Sequence, residues 1–148
     1  KPAILELGGK SAAIVMPDAD LDVVMESVRR GIFYNAGQVC SAMLRLIAQT
    51  EVFGPVLTVL KTTSESEAIE IANGTDYGLV GGIFTADIDA AHRAARQIRA
   101  GQIFINEWFA GGVETPFGGY GKSGYGREKG REALWNYVQT KNIAYRTR

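Results

Sequence analysis

The sequence predicts an α/β fold in which a mostly parallel sheet is flanked by helices. Three features carry that expectation. Short β-prone runs alternate with amphipathic stretches along most of the 148 residues, as parallel strands joined by helical crossovers require. The helical stretches open on Asp or Ser, and two of them close on glycine. Finally, a hydrophobic fraction of 46% gives one domain a real core but is not comfortable for two.

Residues 3–6 and 12–16 read as short strands around Gly8-Gly9. A helix follows over 20–33. Leu21, Val24, Met25, Val28 and Ile32 recur at three and four residues to make an apolar face, opposite Asp22, Glu26 and Arg29. Asp18 or Asp20 can cap it. A glycine-containing segment, 35–40, leads to a short apolar stretch over 44–48, and residues 56–60 form another β-prone run. Ser64 and Glu67 make a capping box for a helix stopped by Asn73-Gly74. Residues 79–85 read as a strand. Asp87 caps a third helix, 87–100, with Ile88, Ala91, Ala95 and Ile98 on one side and Gly101 at its end. Residues 102–106 form a strand, 127–137 a last helix, and 138–148 an extended arm carrying Val138, Ile143 and Tyr145.

Charge and composition narrow the function. Sixteen basic residues balance sixteen acidic ones, so no long-range field draws in nucleic acid or an anionic membrane. No apolar run is long enough to cross a bilayer, and no export signal opens the chain. One cysteine makes no intrachain disulfide and belongs to no metal-binding cluster. A lone thiol suits a reducing compartment, which points to the cytoplasm.

Two glycine patterns mislead. Gly119-Tyr120-Gly121-Lys122-Ser123-Gly124 has the spacing of a dinucleotide loop. That loop needs a strand before it and a helix starting inside it, whereas Thr115-Pro116-Phe117 precedes this one. Gly121-Lys122-Ser123 resembles the end of a phosphate-binding loop, but Pro116 stands where its first glycine belongs. A tight structural loop is the better reading of both.

Three side chains could do chemistry. Cys40 follows Gly37-Gln38-Val39 at a turn after a helix. A lone cysteine is more often a small buried hydrophobe, but a glycine turn supplies the access a nucleophile needs. Glu6 sits where a strand meets a turn. It is either a solvated carboxylate or a base able to take a proton from water. His92 lies mid-helix beside Arg93 and Arg96 without an orienting acid, which favours an ordinary surface histidine.

Four stretches taken together resemble the NAD(P)-dependent aldehyde dehydrogenase family. They are Glu6-Leu7-Gly8-Gly9-Lys10, Gly37-Gln38-Val39-Cys40, Glu51-Val52-Phe53-Gly54-Pro55-Val56, and Pro116 to Tyr120 continuing through Ser123 to Glu128. Each is modest alone; in the family's order they are specific. The resemblance implies a remnant of that family's catalytic domain over 1–137 and an oligomerisation arm over 138–148. It makes Cys40 the nucleophile that attacks an aldehyde and Glu6 the residue that activates water to release the acid. NAD or NADP is the implied cofactor, with Glu51 on the nicotinamide ribose and Phe53 near the same end. The arm implies a homo-oligomer, or pairing with a full-length relative, by edge-strand addition.

The chain also departs from the family. It begins just before the motif of Glu6, so the nucleotide-binding domain is expected to be absent. Cys40 and Phe53 are thirteen positions apart, far closer than in the intact family, which implies an internal deletion near residues 49–51. Losing one oxyanion donor alone costs roughly 3–4 kcal/mol of transition-state stabilisation. The expectation is a family member whose dehydrogenase activity is lost or severely reduced in this chain alone. The alternative is a non-catalytic structural or self-association module, and retained thioester hydrolysis is the least favoured reading. The deletion should also expose an apolar patch and leave little room for a crossover between two strands.

Overall fold

A computed structural model describes residues 3–48 and 58–147. Its centre is a five-stranded parallel sheet in the order β4-β3-β2-β6-β7. In chain order the elements begin with β1 (Leu5–Glu6), β2 (Ser11–Val15), α1 (Leu21–Phe33) and β3 (Met43–Ala48). Then come β4 (Thr58–Lys61), α2 (Glu65–Asn73), β5 (Tyr77–Gly78), β6 (Val80–Phe84) and α3 (Ile88–Gln97). Strands β7 (Gln102–Ile105), β8 (Tyr120–Gly121) and β9 (Gly124–Tyr125) complete the set.

Alternation along β2 divides the core. Ala12, Ile14 and Met16 face α2 and α3, meeting Ala68, Ala72, Ala91 and Ala94. Ala13 and Val15 face α1, meeting Val24, Leu46, Phe84, Phe104 and Trp108. Every residue of β2 and of β6 is buried, because a central parallel strand is covered on both faces.

The caps follow their local chemistry. Asp20 caps α1 by accepting from the Asp22 and Val23 amides at 2.9 and 3.3 Å. Asp18 turns instead to the start of α3, accepting from the Thr85 hydroxyl at 2.8 Å and from the Ala86 and Asp87 amides. Ser64 accepts from the Glu67 amide at 3.2 Å, while Glu67 reaches back to Thr63, one residue before the usual partner of a capping box. Asp87 caps α3.

Three expectations need correction. In α1, Leu21 and Met25 are exposed, and Ser27 and Gly31 are buried in their place. The helix is turned so that Gly31 meets Met43 and Trp108 at close range. In α3, Ile88 is exposed and the buried face is Ala90, Ala91 and Ala94. Residues 127–137 are not an α-helix. Glu128 pairs in antiparallel fashion with Phe117, Lys129 and Gly130 take positive φ, and only Arg131–Asn136 turns, as a 3-10 segment. Residues 138–147 are exposed and carry no regular secondary structure.

Strands β3 and β4 are parallel neighbours with Arg45 opposite Thr58 and Ala48 opposite Lys61. Nine residues, 49–57, join them, fewer than the dozen or more of an ordinary crossover. No helix among the described residues is long and apolar enough to cross a membrane.

Candidate active site

Glu6 ends β1, which pairs antiparallel with β9 so that Glu6 faces Gly124. Leu7 extends the pairing by donating to the Ser123 carbonyl at 3.0 Å. Ser123 is fully buried, and its hydroxyl accepts from the Gly78 amide at 3.0 Å. Gly124 takes φ +114, and a side chain there would strike the Leu5 carbonyl. Only glycine lets the two strands approach so closely. The Gly119–Gly124 segment is thus an antiparallel brace for β5 and for the Glu6 strand. It is not a strand-to-helix turn, and it offers no helix N-terminus to a pyrophosphate.

One carboxylate oxygen of Glu6, Oε1, is buried without a hydrogen-bond partner. Desolvation holds the carboxyl pKa above its ordinary value. The neighbouring Glu128 adds to the rise, and Lys129 and Arg127 oppose it. A carboxylate in this state is a better proton acceptor than a solvated one.

Cys40 is exposed. It sits on a turn closed by the Ala42 amide donating to the Val39 carbonyl at 3.0 Å. The approach to this turn is unusual backbone: Asn35, Ala36 and Gly37 have φ of 50°, 56° and 74°. Asn35 steadies it, with its carbonyl accepting from the Gln38 amide and its side-chain amide donating to the Gln38 carbonyl at 3.0 Å.

The Glu6 and Cys40 segments meet at Gly9. A Cβ on Gly9 would lie 3.1 Å from the Cys40 carbonyl oxygen, so the motif Glu6–Lys10 is packed directly on the thiol turn. Beyond Cys40 the chain is held by Trp108, whose indole N–H donates to the Ser41 carbonyl at 3.3 Å. Sequence reasoning missed Trp108. It follows a strand end by a few residues, and nothing in its spacing points towards Cys40. Glu51 and Phe53 lie outside the described residues. His92 is exposed on α3. Among the described residues, the Glu6–Lys10 motif and the Cys40 turn are thus packed together at Gly9.

A profile of the aldehyde dehydrogenase family matches residues 1–50 and 45–143, in two stretches that overlap over residues 45–50. The chain belongs to the aldehyde dehydrogenase family. It is similar to PnpE from Pseudomonas sp. WBC-3, with 28% identity over 96% of this chain and 49% of that one, at a TM-score of 0.84. It is similar to the betaine aldehyde dehydrogenase of Staphylococcus aureus solved with NAD+, with 27% identity over 95% and 46% of the two chains and a TM-score of 0.87. The aldehyde dehydrogenase of Bacillus cereus, also solved with NAD+, gives 28% identity over 94% and 46%, and a TM-score of 0.86. The chain spans about half the length of these proteins.

Proposed function

We propose that this chain carries the thiol half of an aldehyde dehydrogenase site and does not by itself oxidise aldehydes. Cys40 is the nucleophile that forms a thioester, and Glu6 is the base that activates the water releasing the acid. The observation that carries this reading is the packing of Gly9 against the Cys40 carbonyl, which holds the carboxylate motif beside the thiol turn. The unpartnered Oε1 of Glu6 supports the base role. NAD or NADP accepts the hydride in this family's chemistry. Among the described residues the Gly119–Gly124 loop forms an antiparallel brace and not a strand-to-helix phosphate turn, so no hydride step is assigned to them.

A second reading is favoured by a separate observation. Leu21 and Met25 lie one turn apart on α1 and are both more than half exposed, while Val138, Ile143 and Tyr145 stand exposed on residues 138–147. These surfaces suit self-association through the arm, or pairing with a full-length relative. The single thiol fits the reducing cytoplasm.

An activated aryl ester tests the role of Cys40 without any cofactor. The expected adduct is a single acyl group on Cys40, seen by mass spectrometry and absent from Cys40→Ala, with slower acyl release in Glu6→Gln. Acylation scattered over lysines, or release indifferent to Glu6→Gln, would overturn the assignment.

A further inference from the structure

We propose that Trp108 is a positioning residue for Cys40, acting through the hydrogen bond from its indole N–H to the Ser41 carbonyl. The inference rests on the reading of Cys40 as nucleophile and deepens it.

Trp108 is 6% exposed and sits in a seat cut for it by two glycines. A Cβ on Gly82 would lie 2.5 Å from its ring, and one on Gly31 would lie 3.1 Å from Cδ1. Phe104 meets it edge-on at 5.6 Å between centroids. The ring is thereby fixed to β6, β7 and α1. A buried indole N–H needs an acceptor, and its acceptor here belongs neither to a strand nor to a helix. It is the carbonyl next to the thiol residue.

The following residue holds the other end of the same segment. Phe109 meets Tyr34 edge-on at 6.0 Å, and Tyr34 immediately precedes the left-handed run Asn35–Gly37. Alanine adopts left-handed backbone only where its surroundings hold it there. The adjacent aromatic pair clasps residues 34 and 41, and between them the chain is bent into the turn that presents Cys40. Gly9 closes the remaining side against the Cys40 carbonyl. A tryptophan serving only to fill the core would have no reason to touch this turn.

Cys40 is the only thiol, so a thiol probe on the full chain reads this turn alone. Two measurements are made on Trp108→Phe, which keeps a ring against Phe104 and removes the donor: the mobility of a nitroxide attached to Cys40, and the pH profile of iodoacetamide alkylation. The expected result is a sharper nitroxide spectrum and an alkylation rate changed about fivefold, with a displaced profile, the change expected from losing one ordinary hydrogen bond. Replacing Trp108 by benzothienylalanine keeps the ring shape and lacks the N–H. It should reproduce both effects, and it decides the matter where Trp108→Phe does not fold. Label mobility and alkylation profile unchanged from the parent in the folded benzothienylalanine variant would overturn the proposal. Should the ester probe fail to acylate the parent Cys40, the nucleophile reading fails, and nitroxide mobility still decides the role of Trp108.

Discussion

Glu6 combines a half-buried side chain with one oxygen sealed from water and unpartnered. Burial, and then the charge of Glu128, raise its pKa above the ordinary 4.5. Folding therefore favours the protonated form more than the unfolded chain does. Its contribution to stability is fully present below the unfolded pKa and is lost as pH rises through the folded value. Glu6→Gln stays neutral throughout, so it should melt at a higher temperature than the parent near neutral pH. The gap should close as the pH falls below about 4, where Glu6 itself is protonated. Thermal melts across that range check the sign. A gap that widens in acid would mean that the carboxylate is stabilised by the fold and is no poised base. Asp18 shows the opposite case. Its hydrogen bond from Thr85, followed by those from the Ala86 and Asp87 amides, lowers its pKa, so its support of α3 is present above the unfolded pKa and fades as the pH falls through the folded one.

At the scale of elements, the helix starts were legible and the helix faces were not. A cap is a contract between residues two or three apart, so Ser64 and Asp87 could be read directly and Asp20 as one of two candidates beside Asp18. The buried side of α1 is set by what lies opposite. Gly31 is buried because Met43 and Trp108 press on it, and Leu21 and Met25 are turned outward as a result. The last helix failed for a similar reason: pairing of Glu128 with Phe117 fixes an extended backbone where local spacing allows a helix. The seat of Trp108 gives a direct check. Gly82→Ala would drive a methyl into the indole and should cost about 1–3 kcal/mol in urea unfolding. Most of that loss should disappear when Trp108→Leu is added. Equal losses in both backgrounds would place the strain elsewhere.

For the whole molecule, the parallel sheet and its helices were legible from alternation, and the Cys40 and Glu6 motifs from short local strings. The contact between them through Gly9, and the hold of Trp108 on Ser41, join positions far apart in sequence and left no trace in spacing. Glu51 and Phe53 were legible as a motif only. Strands β3 and β4 run parallel with nine residues between them, and α1 keeps Leu21 and Met25 in solvent. Light scattering should accordingly show association that grows with concentration. Leu21→Glu with Met25→Glu should weaken it if α1 is the contact, and removal of residues 138–148 should do so if the arm is. A monodisperse monomer at high concentration would contradict this account of the surface.

The Glu6 motif and the Cys40 turn stand together at Gly9, and we propose that this chain alone does not bring a hydride acceptor to them. The direct test mixes the 148-residue chain with NAD or NADP and a range of aldehydes and follows the absorbance of the reduced cofactor. No formation of reduced cofactor that depends on Cys40 is expected. Steady turnover by the parent chain, abolished in Cys40→Ala, would contradict the proposal.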